Sequence, residues 1–197
     1  GAGKADAFAT RWVQVQQHDF NDGDSGRDFY GVYATRPLSA GKGSLDLYAL
    51  GLERDAAKFG TVSGKEERYT LGSRWGGTCD CGGDLDLEGG YQFGEVGAAD
   101  VEAWFVAAQA GYTVLECPVK SRWFVGYDLA SGDDKPADGE VGTFNQLFPL
   151  GHAYFGGIDI VGRQNIQDVS VGVSLVPLDK LTVRIEGHQF SRAENSD

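Results

Sequence analysis

The residues able to bind or neutralise charge fall at alternating positions along the chain. Arg68, Arg74, Arg122 and Arg184 each occupy the polar side of an apolar–polar alternation. Guanidinium is the side chain best matched to a carboxylate in a two-pronged pair. The same polar sides carry Asp84, Asp86, Glu88, Asp128 and Glu186. Two readings follow from that mixture. The arginines are rungs for an anionic solute, or they neutralise neighbours across strands, Arg74 with Asp84 or Asp86 and Arg184 with Glu186. The readings are compatible, because a solute passing along such a surface must be held weakly enough to leave.

Other chemistry is poorly supported. Asp84, Asp86 and Glu88 share one face, and alternate strand positions set them roughly 7 Å apart, a separation within reach of glycoside hydrolysis. An acid and base must flank the scissile bond from two sides, however, and these three lie on one strand. His18, His152 and His188 are too dispersed for a metal site, and His188 opposite Asp168 reads as a hydrogen-bonded pair. "DFNDGDSGRD" misses the ligand spacing of a calcium loop, and "GTVSGKEE" lacks the full spacing and the hydroxyl residue of a phosphate loop. No enzyme activity, cofactor or metal is expected. The cysteines, Cys79, Cys81 and Cys117, do not show the C-x-x-C spacing of zinc or redox motifs. An oxidised pair that includes Cys117 is one arrangement an exported protein allows, and the sequence leaves the redox state of all three open.

The elements that position these side chains are β-strands. Period-two alternation predicts about nine of them, near residues 6–18, 27–37, 44–54, 66–76, 84–94, 100–114, 119–131, 165–176 and 180–191. Around "TCDCGG", Tyr69, Leu71, Leu85, Leu87 and Tyr91 take the apolar face, and Arg68, Arg74, Asp84, Asp86 and Glu88 the other. In the seventh strand Trp123, Val125, Tyr127 and Leu129 oppose Arg122, Gly126, Asp128 and Ala130. Around "VPLDK", pairing Val176 with Lys180 sets Val173 opposite Val183 and Asp168 opposite His188, so both faces are satisfied at once. The connections "SAGKG", "TCDCGG", "LECP" and "PLD" are compact, whereas "NDGDSG" and "DAAKFGTVSGK" read as longer and more polar. "GEVGAA" is an exception. Short turns at one end and longer loops at the other suggest an up-and-down meander.

Composition agrees. The 197 residues suit one domain, and 30 glycines, 12% aromatics and no methionine point to an all-β chain. A net charge of −12 without a clustered basic face argues against nucleic acid as a partner. No stretch approaches the length of an apolar membrane helix, but a transmembrane strand needs only about 9–11 alternating residues. The strands are long for a soluble sandwich. Trp12, Tyr30, Tyr69, Trp75, Tyr91, Trp104, Tyr112, Trp123 and Tyr127 recur toward strand ends on the apolar side, as residues of two headgroup belts would.

The stretch "WFVGYDLASGDDKPADGEVGTFNQLFPLGHAYFG" then feeds a strand into a long loop, 132–157. Its first limb is polar. "TFNQLFPLGHAYFG" is too aromatic to be only solvated. Two placements are open: folding into or over a lumen, with a constriction from Phe144, Asn145, Phe148, His152 and Tyr154, or packing on an outer rim.

The segments "FYGVYAT", "ERYTLGSRWGG", "GYQFGE", "AAQAGYT", "GYDLASGD", "GTFNQLFPLGHAYFG" and "IVGRQNIQDVSVGVSLVP" span nearly the whole chain. Together they resemble the alginate export family of outer-membrane β-barrel porins. The most specific are the loop "GTFNQLFPLGH" and the following "GRQNIQD". The resemblance implies a closed antiparallel transmembrane barrel in the bacterial outer membrane, in contact with its lipid, with 132–157 outside the cell. It also implies a polar lumen passing an anionic uronic-acid polymer, for whose carboxylates the arginines would be a ladder. About nine strands is half of such a barrel, and the ends "GAGKADAFAT" and "SRAENSD" read as cuts, so residues 1–197 are expected to be a barrel domain or an internal fragment of one. The rivals are a general porin for small anionic or neutral solutes and a soluble all-β carbohydrate-binding module.

Overall fold

A computed structural model describes residues 2–38, 42–116, 119–150, 153–158 and 160–195. Ten strands follow one another: β1 (Lys4–Gln14), β2 (Asp22–Pro37), β3 (Gly43–Phe59), β4 (Val62–Thr78), β5 (Gly83–Val96), β6 (Ala99–Val114), β7 (Lys120–Ala130), β8 (Glu140–Val141), β9 (Ile166–Leu178) and β10 (Leu181–Ser191). Nine of them form a single antiparallel meander in the order β1-β2-β3-β4-β5-β6-β7-β9-β10. The two-residue β8 lies outside this path and pairs in parallel with β6, Asp100 opposite Glu140 and Val101 opposite Val141. It occupies the part of the β6 edge beyond Phe105, where pairing with β7 stops. The sheet is not closed: among the described residues, β1 and β10 are its two edges.

All nine long strands occur where the alternation puts them. Two connections differ from the sequence reading. "DAAKFGTVSGK" is not a long loop: β3 runs to Phe59 and β4 starts at Val62, with a turn at Gly60 and Thr61 in which Gly60 has φ +52. "NDGDSG" likewise lies largely within β2. Charged residues extend these strands because they pair across the ladder, as Arg54 does opposite Glu66, so polarity there does not signal a loop. The end that carries the long 131–165 connection therefore also has tight turns.

The β9–β10 register is a second correction. Val183 lies opposite Leu175, Ile185 opposite Val173 and His188 opposite Ser170. This is two residues away from the register expected from "VPLDK", with the irregularity between Leu181 and Val183. A slip of two preserves every side chain's face, which is why the two faces remain as read.

The faces are inverted relative to a soluble protein. Trp75, Leu87, Tyr91, Trp104, Val106, Trp123, Val125, Val169, Val171 and Ile185 are exposed, whereas Glu66, Arg68, Thr70, Gln92 and Asp168 are buried. Trp12 does not join the outer aromatics. It stacks on Phe148 of the long connection at 5.1 Å, on the concave side. Glycines inside strands make room for rings: a Cβ on Gly72 would lie 2.2 Å from the Tyr48 ring, and one on Gly172 2.5 Å from Phe124.

Candidate pore surface

The concave face is a set of charge pairs built by strand alternation. β4 and β5 present Arg74 and Asp86, joined through Arg74 Nη2 donating to Asp86 Oδ2 at 2.6 Å and Arg74 Nε to Oδ1 at 2.9 Å. Arg122 of β7 reaches across β6 to Asp84 of β5, with Nη2 to Oδ1 at 2.5 Å, and also donates to Gln109 at 3.0 Å. On β10, Arg184 Nε donates to Glu186 at 2.7 Å. Asp128 of β7 is held by Arg163, Nη2 to Oδ2 at 2.5 Å. Glu88 accepts from Tyr48 Oη at 2.9 Å. Asp168 meets His188 Nδ1 at 2.8 Å, now diagonally across the strand pair instead of directly opposite.

Arg163 is one residue that sequence reasoning missed. It sits on no strand, and its guanidinium lies 4.7 Å from the Phe105 ring, 5.2 Å from Tyr154 and 5.5 Å from Phe155. Its position in "GRQNIQD" gave no period to read. Such contacts are favourable because the ring face is electron-rich.

The long connection crosses the concave face as a strap. Val141 joins Val96, Ala99 and Val101 in one buried cluster, and Phe144 joins Ala103, Phe105, Ala130 and Ile166 in another. The Phe144 and Phe105 rings are 4.8 Å apart. Farther along, Phe148 reaches Phe29 at 4.9 Å and Trp12. One side of the strap is thus fixed to β6 and β7, and the other touches β1 and β2. Tyr154 is half-exposed beside Arg163. His152 lies outside the described residues, as does Cys117.

A polar clasp secures the middle of the strap. Gln92 of β5, 0% exposed, receives Asn145 N–H at Oε1 and donates from Nε2 to Asn145 O, both at 2.8 Å. It also donates to Thr70 Oγ1 at 3.0 Å and accepts from Arg68 Nη1 at 2.9 Å. Arg68 in turn donates from Nε to Glu66 at 2.7 Å. Glu66 carries a second guanidinium, that of Arg54. Arg68 is 1% exposed and lies 4.7 Å from the Phe59 ring. It shares the concave face with Arg74, Arg122 and Arg184 but, unlike them, is sealed under the strap. Buried ions persist when each finds partners, and Glu66 and Arg68 find several.

The disulfide joins Cys79 to Cys81 in the β4–β5 turn. Both partners lie two residues apart in one turn, so neither Cys79 nor Cys81 is the partner that the sequence reading offered for Cys117. No cluster of His, Cys, Asp and Glu suited to a metal occurs among the described residues.

The sheet thus has an apolar convex side and a charged, strapped concave side. No curated protein and no solved structure matches the chain. A family model described as alginate export matches residues 2–197. The chain belongs to the alginate export family.

Proposed function

We propose that this chain is part of the wall of an outer-membrane channel through which an anionic polysaccharide such as alginate leaves the cell passively, with the strap narrowing the passage. One observation carries the reading: bulky apolar residues cover the exposed convex face of the sheet while ionic pairs line the concave one. A soluble module would bury the apolar face instead. The convex side suits lipid, and a closed barrel satisfies every strand edge, the condition for crossing hydrocarbon. Family membership supplies the role in alginate export. The 131–165 connection would face the exterior, where such barrels carry their longer loops.

A general porin for small anionic or neutral solutes is the second reading. It is favoured by the pairing of Arg74, Arg122, Arg163 and Arg184, each with a carboxylate at 2.5–2.6 Å. Purified protein reconstituted in planar bilayers separates the readings. Block of the ion current by a long polyuronate, stronger than block by a neutral glucan of equal length, is expected for an export channel, and equal block indicates a general porin. Protein that stays monodisperse without detergent and carries no current would refute both.

A further inference from the structure

One buried carboxylate on the concave face lacks the permanent cation that its neighbours have. Arg74 of β4, Arg163 of the strap and Arg184 of β10 are matched with Asp86 of β5, Asp128 of β7 and Glu186 of β10, each at 2.5–2.6 Å. These six line one cavity of about 210 Å³, together with two further carboxylates, Glu88 of β5 and Asp168 of β9. Glu88 accepts from the neutral Tyr48 hydroxyl. Asp168 is 2% exposed, and its ionisable partner among the described residues is His188 of β10, whose Nδ1 lies 2.8 Å from Oδ2. The second polar atom of each, Asp168 Oδ1 and His188 Nε2, is buried without a hydrogen-bond partner. Phe190 stacks on the imidazole at 5.3 Å. Nε2 then stands 3.9 Å from Glu186 Oε1, the oxygen left over when Arg184 binds Oε2.

We propose that His188 sets the charge of this part of the passage according to pH, and with it the preference for anions. The cavity wall carries five carboxylates against three guanidiniums, so with a neutral imidazole it is net anionic and opposes an anionic solute. A buried charge is stabilised by an opposite one, and imidazole is the side chain that gains its proton between about pH 5 and 8. On protonation Asp168 meets a cation, and the Nε2–H gains Glu186 Oε1 as an acceptor within reach of a small rotation. Glu186 is then shared between His188 and Arg184, and the wall becomes more positive by one charge. The role in transport rests on the channel reading; the titration of the His188–Asp168 pair does not.

The test is the reversal potential of the untagged protein in planar bilayers under a potassium chloride gradient, from pH 8 to pH 5. Acidification is expected to raise the anion-to-cation permeability ratio about fourfold, because a unit charge acting across roughly 8 Å of water changes the local concentration of each ion about twofold. His188→Gln, which keeps a donor for Asp168, should abolish the step, and His18→Gln/His152→Gln should retain it. A step that survives in His188→Gln, or a current whose ratio is flat in the parent, overturns the proposal and leaves the channel in place. In His18→Gln/His152→Gln the one imidazole left is that of His188, so its proton resonances in the detergent-solubilised protein follow the pair without any need for current. If they titrate between pH 5 and 8 and shift in an added Glu186→Gln, but no current is seen at any pH, the charge switch stands and the channel reading falls. Resonances that do not move across that range overturn the switch.

Discussion

Replacing Gln92 with alanine should release the strap. The side chain makes four hydrogen bonds, two of them to the backbone of Asn145, and is wholly buried. Its loss strands the Asn145 N–H and the Asn145 carbonyl and leaves Arg68 Nη1 with only the Thr143 carbonyl at 3.5 Å. Each unsatisfied buried group costs about 1–3 kcal/mol, and water entering the vacated space recovers part of that. A net loss of about 3 kcal/mol in strap docking corresponds to roughly a hundredfold change in the docked-to-released ratio, at about 1.4 kcal/mol per tenfold. Phe144 and Val141 still hold the first limb, so the strap should fluctuate and not leave. In planar bilayers, Gln92→Ala should show frequent excursions to a larger conductance, and limited proteolysis should cut within 144–150 sooner than in the parent. Gln92→Glu should act in the same direction, since it removes the donor to Asn145 O and adds a carboxylate near Glu66. A parental conductance histogram together with parental protease resistance would refute the clasp as the element that holds the strap.

Because Arg74 and Arg122 are neutralised by Asp86 and Asp84, Asp84→Asn/Asp86→Asn should raise anion preference in reversal-potential measurements, and Arg74→Glu/Arg122→Glu should lower it. No shift in either direction would mean that these pairs lie off the ion path. Val171 is exposed near the middle of β9, so Val171→Arg should cost about 2–4 kcal/mol in a bilayer and Val183→Arg, nearer the strand end, less. Equal, small losses in reversible unfolding from vesicles would argue that this face does not meet lipid. Deleting 133–156 and joining the strands by a short turn should raise conductance and also lower heat stability on gels, because Phe144 and Val141 leave with the loop. Unchanged conductance would remove the constricting role.

The strands were legible because alternation is a local property. Each side chain's face follows from its parity in the strand, so Arg74, Asp86, Arg122 and Asp128 could be put on one side before any pairing was known. The same locality explains where the reading failed. The β9–β10 register depends on an irregularity at the turn, between Leu181 and Val183, and both registers satisfy the same parity. The charged ends of β3 and β4 resemble loops until Arg54 is seen opposite Glu66.

What the sequence by itself determined, then, is the all-β meander, the division of each strand into an apolar and a polar side, and the candidate cations. The tertiary structure decided which partners those cations meet. Arg163 finds Asp128 at a separation of 35 residues, and Gln92 finds Asn145 at 53, contacts that no period encodes, because they arise only when the sheet curves and the strap crosses it. It also decided that Arg68 is sealed under the strap while Arg74 remains partly open. The two differ in what lies above them and not in their place within the alternation, since burial depends on the distant segment that folds over a face, and parity fixes only the face.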